Sequence, residues 1–201
     1  MPLPKISTPT YDLVLPSNGK KIKYRPFLVR EEKVLILALE SQDIKQISNA
    51  VKSTLKSCVQ TRGVKIDDLP TFDIEYIFLN VRAKSVGESL DLVITCPDDN
   101  ETTVKVQIYT DDIEVVKDPE HDIEIPLDAK LTLKMKYPSM DQFIKNNFDI
   151  GESTADESFE IVASCIDTIY DAEDVWSASD CTKKELVEWV GDLNTSQFKE
   201  V

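Results

Sequence analysis

Residues 71–109 read TFDIEYIFLNVRAKSVGESLDLVITCPDDNETTVKVQIY, and the period of their apolar residues changes part-way along. Phe72, Ile74, Ile77, Phe78 and Val81 share one face at helical spacing. Pro70 suits the start of such a helix, and Asp67, Asp68 or Thr71 can cap it. Arg82 and Lys84 suit the negative end of the helix dipole, and Gly87 can take the left-handed stop. Past Gly87 the period becomes two. Leu90, Leu92 and Ile94 alternate with Asp91, Val93 and Thr95, and Val104, Val106 and Ile108 alternate with Lys105, Gln107 and Tyr109. Pro97-Asp98-Asp99-Asn100 turns the chain between them. This predicts a hairpin with one buried and one wet face. A run of helices followed by paired strands, with no βαβ alternation, points to an α+β fold.

Upstream, Thr10–Leu15 and Lys21–Tyr24 flank Pro16-Ser17-Asn18-Gly19, where Asn-Gly is a strong hairpin signal. Val34, Leu35, Ala38 and Leu39 predict a helix over 31–40. Asp43 with Gln46 forms a capping-box-like pair that opens a second helix, with Ile44, Ile47, Val51, Leu55 and Cys58 on one stripe.

Downstream, 121–125 and 131–136 read as a second strand pair, with Leu131, Leu133 and Met135 on one face and Pro126 and Asp128 at the turn. From Pro138 the pattern returns to helix. Ser139 precedes Met140, Phe143 and Ile144. Ser153 and Thr154, with Asp156 and Glu157, precede Phe159, Val162, Ile166 and Ile169. Thr182 with Glu185 opens a helix carrying Leu186, Trp189, Val190 and Leu193. Asn194 or Thr195 starts a last one with Phe198 and Val201, and the natural terminus is expected to run on for a turn or more. The expected layout is an N-terminal β-hairpin with helices, a central antiparallel β region and a C-terminal helical tail. The division falls at Tyr137–Pro138, giving 1–137 and an acidic 138–201.

The 201 residues hold 23 Lys and Arg against 37 Asp and Glu, a net charge of −14. The excess is uneven: residues 1–60 carry +5 and residues 151–201 carry −10. Such a balance argues against unaided binding to nucleic acid or an anionic membrane, which needs clustered cations. The longest apolar run, Val34–Leu39, is six residues, against about 18 for a membrane span. The start has no signal core, so a soluble protein made in a cytoplasm is expected. Cys58, Cys96, Cys165 and Cys181 are widely separated without a CxxC, so reduced thiols are expected. His121, the only histidine, lies between Glu120 and Asp122 and reads as a surface residue. The glycines are isolated, with no phosphate loop or nucleophile elbow. No catalytic, cofactor-binding or metal residue is assigned, and no enzyme is expected.

Three segments carry a resemblance: 24–33 (YRPFLVREEK), 37–41 (LALES) and 78–88 (FLNVRAKSVGE). With the Asp-rich stretch around Trp176 and the closing Ser196-Gln197-Phe198, they resemble the baseplate hub assembly proteins of T-even-type contractile-tailed bacteriophages. The resemblance covers most of the chain, and residues 82–87 are its most specific part. The resemblance implies paired cysteines after the position of Cys96-Pro97 in some relatives; this chain has Asp98-Asp99 there, so no such metal knuckle is expected in it. The resemblance implies morphogenesis: help in assembling the central hub on which the tail tube starts, with hub or tape-measure proteins as partners. It implies the host cytoplasm during assembly as the location, or the virion tail baseplate for a lasting part.

A chain without catalytic motifs but with polarised charge and apolar helices reads as a binding module. Trp176, Trp189 and Phe198 are the partner-binding candidates, on amphipathic tail helices that dock an apolar groove. The competing reading is that the tryptophans complete the core. Arg82 and Lys84 read as a basic ridge at a helix end, or else as dipole complements with local ion pairs. Two other functions compete: a permanent structural subunit of the baseplate, and an acidic nucleic-acid mimic that occupies a basic groove. Oligomeric state is left open.

Overall fold

Asn18 and Gly19 close the first hairpin, Gly19 taking a φ of +69° that a side chain would strain. Strands β1 (Tyr11–Val14) and β2 (Lys21–Tyr24) pair antiparallel with Leu13 opposite Ile22. Helices α1 (Val29–Ser41), α2 (Ile44–Cys58) and α3 (Thr71–Val86) follow. The Asp43 carboxylate caps α2, accepting the amides of Lys45 at 2.8 Å and Gln46 at 3.2 Å. α2 packs on α1 and α3, and Leu15, Ile22, Leu55, Cys58, Ile74, Ile77 and Val81 are fully buried. In this computed structural model, residues 6–116, 118, 121–148 and 155–201 are described. The Ser153–Thr154 capping pattern lies outside them.

Two details of these helices differ from expectation. α1 turns Ala38 and Glu31 inward while Val34 and Leu39 stay exposed, because its apolar run is wider than the face that α2 covers. Neither Thr71 nor the aspartates before it cap α3; the cap position is Pro70, without a side-chain bond. Asp73, in the first turn, is wholly buried and serves the first hairpin instead. Its carboxylate accepts the Ser17 amide at 3.0 Å and the Ser17 hydroxyl. Asp73→Ala is expected to cost about 2–3 kcal/mol, since it strips a part-buried amide and hydroxyl of a charged acceptor. Urea unfolding of D73A, S17A and the double variant checks this. Additive losses would show that the pair is not coupled.

The chain divides into two compact units, 1–116 and 117–201. The expected division at Tyr137–Pro138 moves upstream for a physical reason: it would part strands that are hydrogen-bonded. In the second unit β5 (Glu124–Pro126), β6 (Thr132–Met135), β7 (Ile166–Tyr170) and β8 (Val175–Ser177) form one antiparallel sheet in that order. Thus the C-terminal part is not all helix: α5 (Ala155–Cys165) ends where β7 begins. A register shift at Lys134/Met135 sets Met135 opposite Ile166 and Lys134 opposite Thr168, leaving Asp167 as the extra residue. That bulge lets Ile166 and Ile169, three positions apart, both turn to the core, where strict alternation would send them to opposite faces. They join Leu133, Ala163 and Val190 under α6 (Lys183–Gly191) and α7 (Thr195–Glu200). α4 (Met140–Phe148) starts at Ser139, whose amide donates to Gln142 at 2.7 Å.

Strands β3 (Ser89–Thr95) and β4 (Thr103–Tyr109) form a separate two-stranded sheet in the first unit. Its expected buried face is open. Leu92, Ile94 and Val104 are exposed, while Leu90, Val106 and Ile108 are partly buried. Net charge follows the division: residues 1–116 carry −2 and residues 117–201 carry −12.

Candidate functional site

β7 and β8 are joined at Asp171, whose carboxylate accepts the amides of Glu173 at 2.8 Å and Asp174 at 2.7 Å. This turn sets Trp176 directly opposite Ile169, so the indole shares the face that carries the core residue. β8 is the last strand of its sheet, and Trp176 keeps 44% of its surface exposed. α6 approaches from the other side. It opens with a capping box in which Glu185 accepts the Thr182 amide and hydroxyl, both at 2.7 Å, and Thr182 accepts the Glu185 amide at 3.3 Å. Val190 anchors α6 in the core, and Leu186 and Trp189 lie half-buried beside it.

Leu131, Ile169, Trp176, Leu186 and Trp189 thereby line a hollow of about 540 Å³, with Cys181 and Glu185 at its margin. The hydrogen bonds from Thr182 hold the Glu185 carboxyl below its ordinary range, so it is ionised at neutral pH. Cys181 is engaged with the Ser177 carbonyl at 3.6 Å. An aromatic-walled hollow with one carboxylate at its rim suits an apolar side chain with a cation close by. Residues 171–192 carry seven acidic and two basic side chains, and this excess favours a basic partner.

Trp176 and Trp189 therefore meet, but as the walls of a concavity, with Trp176 on a strand. Phe198 is not with them. It is partly buried and packs edge-to-face on Phe159, ring centres 5.3 Å apart, against the core cluster. Arg82 and Lys84 lie in the other unit. Lys84 is paired with Glu88 and sits 5.7 Å over the Tyr11 ring. Arg82 is half-buried, and its Nη1 is enclosed without a hydrogen-bond partner among the described residues. Lys84 is thus engaged locally at the end of α3, whereas Arg82 is partly enclosed within its own unit. His121 is exposed and stacks on Tyr137 at 5.6 Å. Leu131, Ile169 and Leu186 complete the hollow and were not legible as site residues. Asp171-Ala172-Glu173-Asp174, a turn between two short β-prone runs, was the available signal.

Among the described residues, no group of His, Cys, Asp and Glu is placed to hold a metal ion. No described helix is long and apolar enough to cross a membrane. A family model described as T4 bacteriophage base plate protein matches residues 8–201. No curated protein and no solved structure matches the chain.

Proposed function

Since the chain belongs to the T4 bacteriophage base plate protein family, we propose that it is a non-enzymatic assembly factor for the baseplate hub, binding a hub or tape-measure subunit during tail morphogenesis. The observation that supports this reading is the hollow between Trp176 and Trp189. It is built to receive, not to react: its polar groups are one capping carboxylate and one hydrogen-bonded thiol. Occupying it shields an apolar segment of an incoming subunit until that segment meets its place in the hub. The acidic surround speeds encounter with a basic partner and repels a second copy.

The test is pairwise co-expression with each hub and tape-measure protein, followed by size-exclusion chromatography and mass analysis. Trp176→Ala is expected to weaken the complex by about tenfold or more, as truncation of an aromatic anchor does. Its cost in stability is expected at about 1 kcal/mol, as for a half-exposed side chain on an edge strand. Unchanged affinity would remove the hollow from the interface. A permanent baseplate subunit is the competing reading within the family. Recovery in finished virions at near-stoichiometric amounts would favour that role, and depletion favours the transient factor.

A further inference from the structure

β3 and β4 place six aliphatic side chains on one face in three facing pairs: Leu90 with Ile108, Leu92 with Val106, and Ile94 with Val104. The opposite face pairs Asp91 with Gln107, Val93 with Lys105 and Thr95 with Thr103, and is wet. Such asymmetry specifies a sheet with one covered side. The base of the hairpin is held: Thr110 is buried and bonds the Glu88 carbonyl through its amide at 2.8 Å and its hydroxyl at 3.0 Å. Toward the tip the cover is missing, with Ile94 48% and Val104 55% exposed. Two strands alone are marginal in water, and stability normally needs a further strand or a packed helix.

The charges around this face say what covers it. Residues 88–112 hold seven acids (Glu88, Asp91, Asp98, Asp99, Glu101, Asp111 and Asp112) and one base, Lys105. Lys105 and Asp91 both lie on the wet face, and Glu88 is paired with Lys84, which leaves five acids: Asp98, Asp99 and Glu101 at the tip and Asp111 and Asp112 past the base. The tip acids flank the Ile94–Val104 pair in the chain. Asp99 is held at about 2 by the Thr102 hydroxyl and by the amides of Thr102 and Glu101, so the tip stays charged. A second copy would set the same five acids against themselves, and like-charge juxtaposition of that kind is unfavourable. An apolar surface rimmed by lysine and arginine satisfies both the aliphatic pairs and the acids. We propose that the open face of the β3–β4 hairpin is a second docking site, which seats an apolar segment of a partner protein flanked by basic residues. The site lies in the other unit from the tryptophan hollow and stands equally for a transient factor or a lasting subunit. Only the choice of probe rests on the baseplate reading.

The test uses the full chain with photoreactive benzoylphenylalanine at Val104, at Gln107 on the wet face, or at Trp176 in the hollow. Each form is co-expressed with the other baseplate proteins of the same phage, irradiated, and its cross-links are mapped by mass spectrometry. Val104 is expected to cross-link an apolar segment with flanking Lys or Arg, and Gln107 is not. The double variant Ile94→Ser/Val104→Ser, which leaves the charge unchanged, is expected to keep the thermal midpoint and to weaken that complex by about tenfold or more. Cross-links from Val104 to a second copy or to a net acidic segment would overturn the proposal, as would yields no higher than those from Gln107. The Trp176 arm reports the hollow separately, so either site can fail without the other.

Discussion

Replacing Glu31 by alanine is expected to destabilise the protein by about 3–5 kcal/mol, the usual cost of leaving a buried cation without its partner. Glu31 is almost fully buried in the first turn of α1. Its carboxylate accepts Arg25 Nη2 at 3.1 Å, Arg30 Nε at 2.8 Å and the Leu28 amide at 2.7 Å. Arg25 is itself buried and lies 3.8 Å from the Cys58 sulfur. One side chain thus neutralises Arg25, satisfies an orphan amide of α1 and joins the strand end to the helix. Glu31→Gln keeps the size and the Leu28 acceptor but loses the charge, so it should fall between alanine and the native chain. Urea unfolding followed by circular dichroism orders the three proteins. Equal stability of E31A and the native chain would show that the cluster contributes no net stability.

The same carboxyl predicts an acid limb. Burial alone would raise it, but the bonds from Arg25, Arg30 and Leu28 outweigh burial and hold it down at about 2. A carboxyl depressed in the folded state favours folding above its unfolded value, near 4.5. That stability is lost as pH falls from there toward about 2. E31Q should therefore show a shallower loss of stability across this window than the native chain. Parallel curves would assign the acid limb to other groups.

Leu133→Ala is the second large effect, expected at about 2–5 kcal/mol. Leu133 is fully buried, lies on an inner strand, and pairs with Ile125 on β5 and Ile169 on β7. Flanking strands on both sides limit collapse into the space left behind, which places the expected loss in the upper half of that range. Both tryptophans of the chain lie in the second unit, so fluorescence-detected unfolding reads the change where it occurs. A loss below about 1 kcal/mol would mean that the core repacks around the cavity. Thiol or metal effects are not needed to explain either result.

Much of the first unit was legible because its signals are local. Asn18-Gly19 can close a hairpin without help from afar, Asp43 caps the helix that begins one residue later, and the period change at Gly87 separates α3 from β3. The resemblance read from contiguous residues at 24–33, 37–41 and 78–88 agrees with the base plate family match over residues 8–201, while the narrower hub assembly role belongs to the proposal. The misreading at 159–170 has a physical cause. Phe159, Val162, Ile166 and Ile169 fit a helical stripe, and a three-residue interval looks the same whether a helix turn or a bulged strand produces it.

By itself, then, the order of residues determined the α+β class, the first hairpin, the caps of α2 and α6, the acidic balance and the family. Tertiary structure alone decided that Ile166–Tyr170 is a strand, paired between β6 and β8 with Ile166 and Ile169 both buried. It decided that Trp176 and Trp189 face a common hollow while Phe198 packs on Phe159 against the core. It also decided that the aliphatic face of β3–β4 is partly buried at its base, at Leu90, Val106 and Ile108, and exposed toward its tip, at Ile94 and Val104. Each of these depends on what lies across a sheet or helix interface, and residues distant in sequence make that choice through hydrogen bonding and burial.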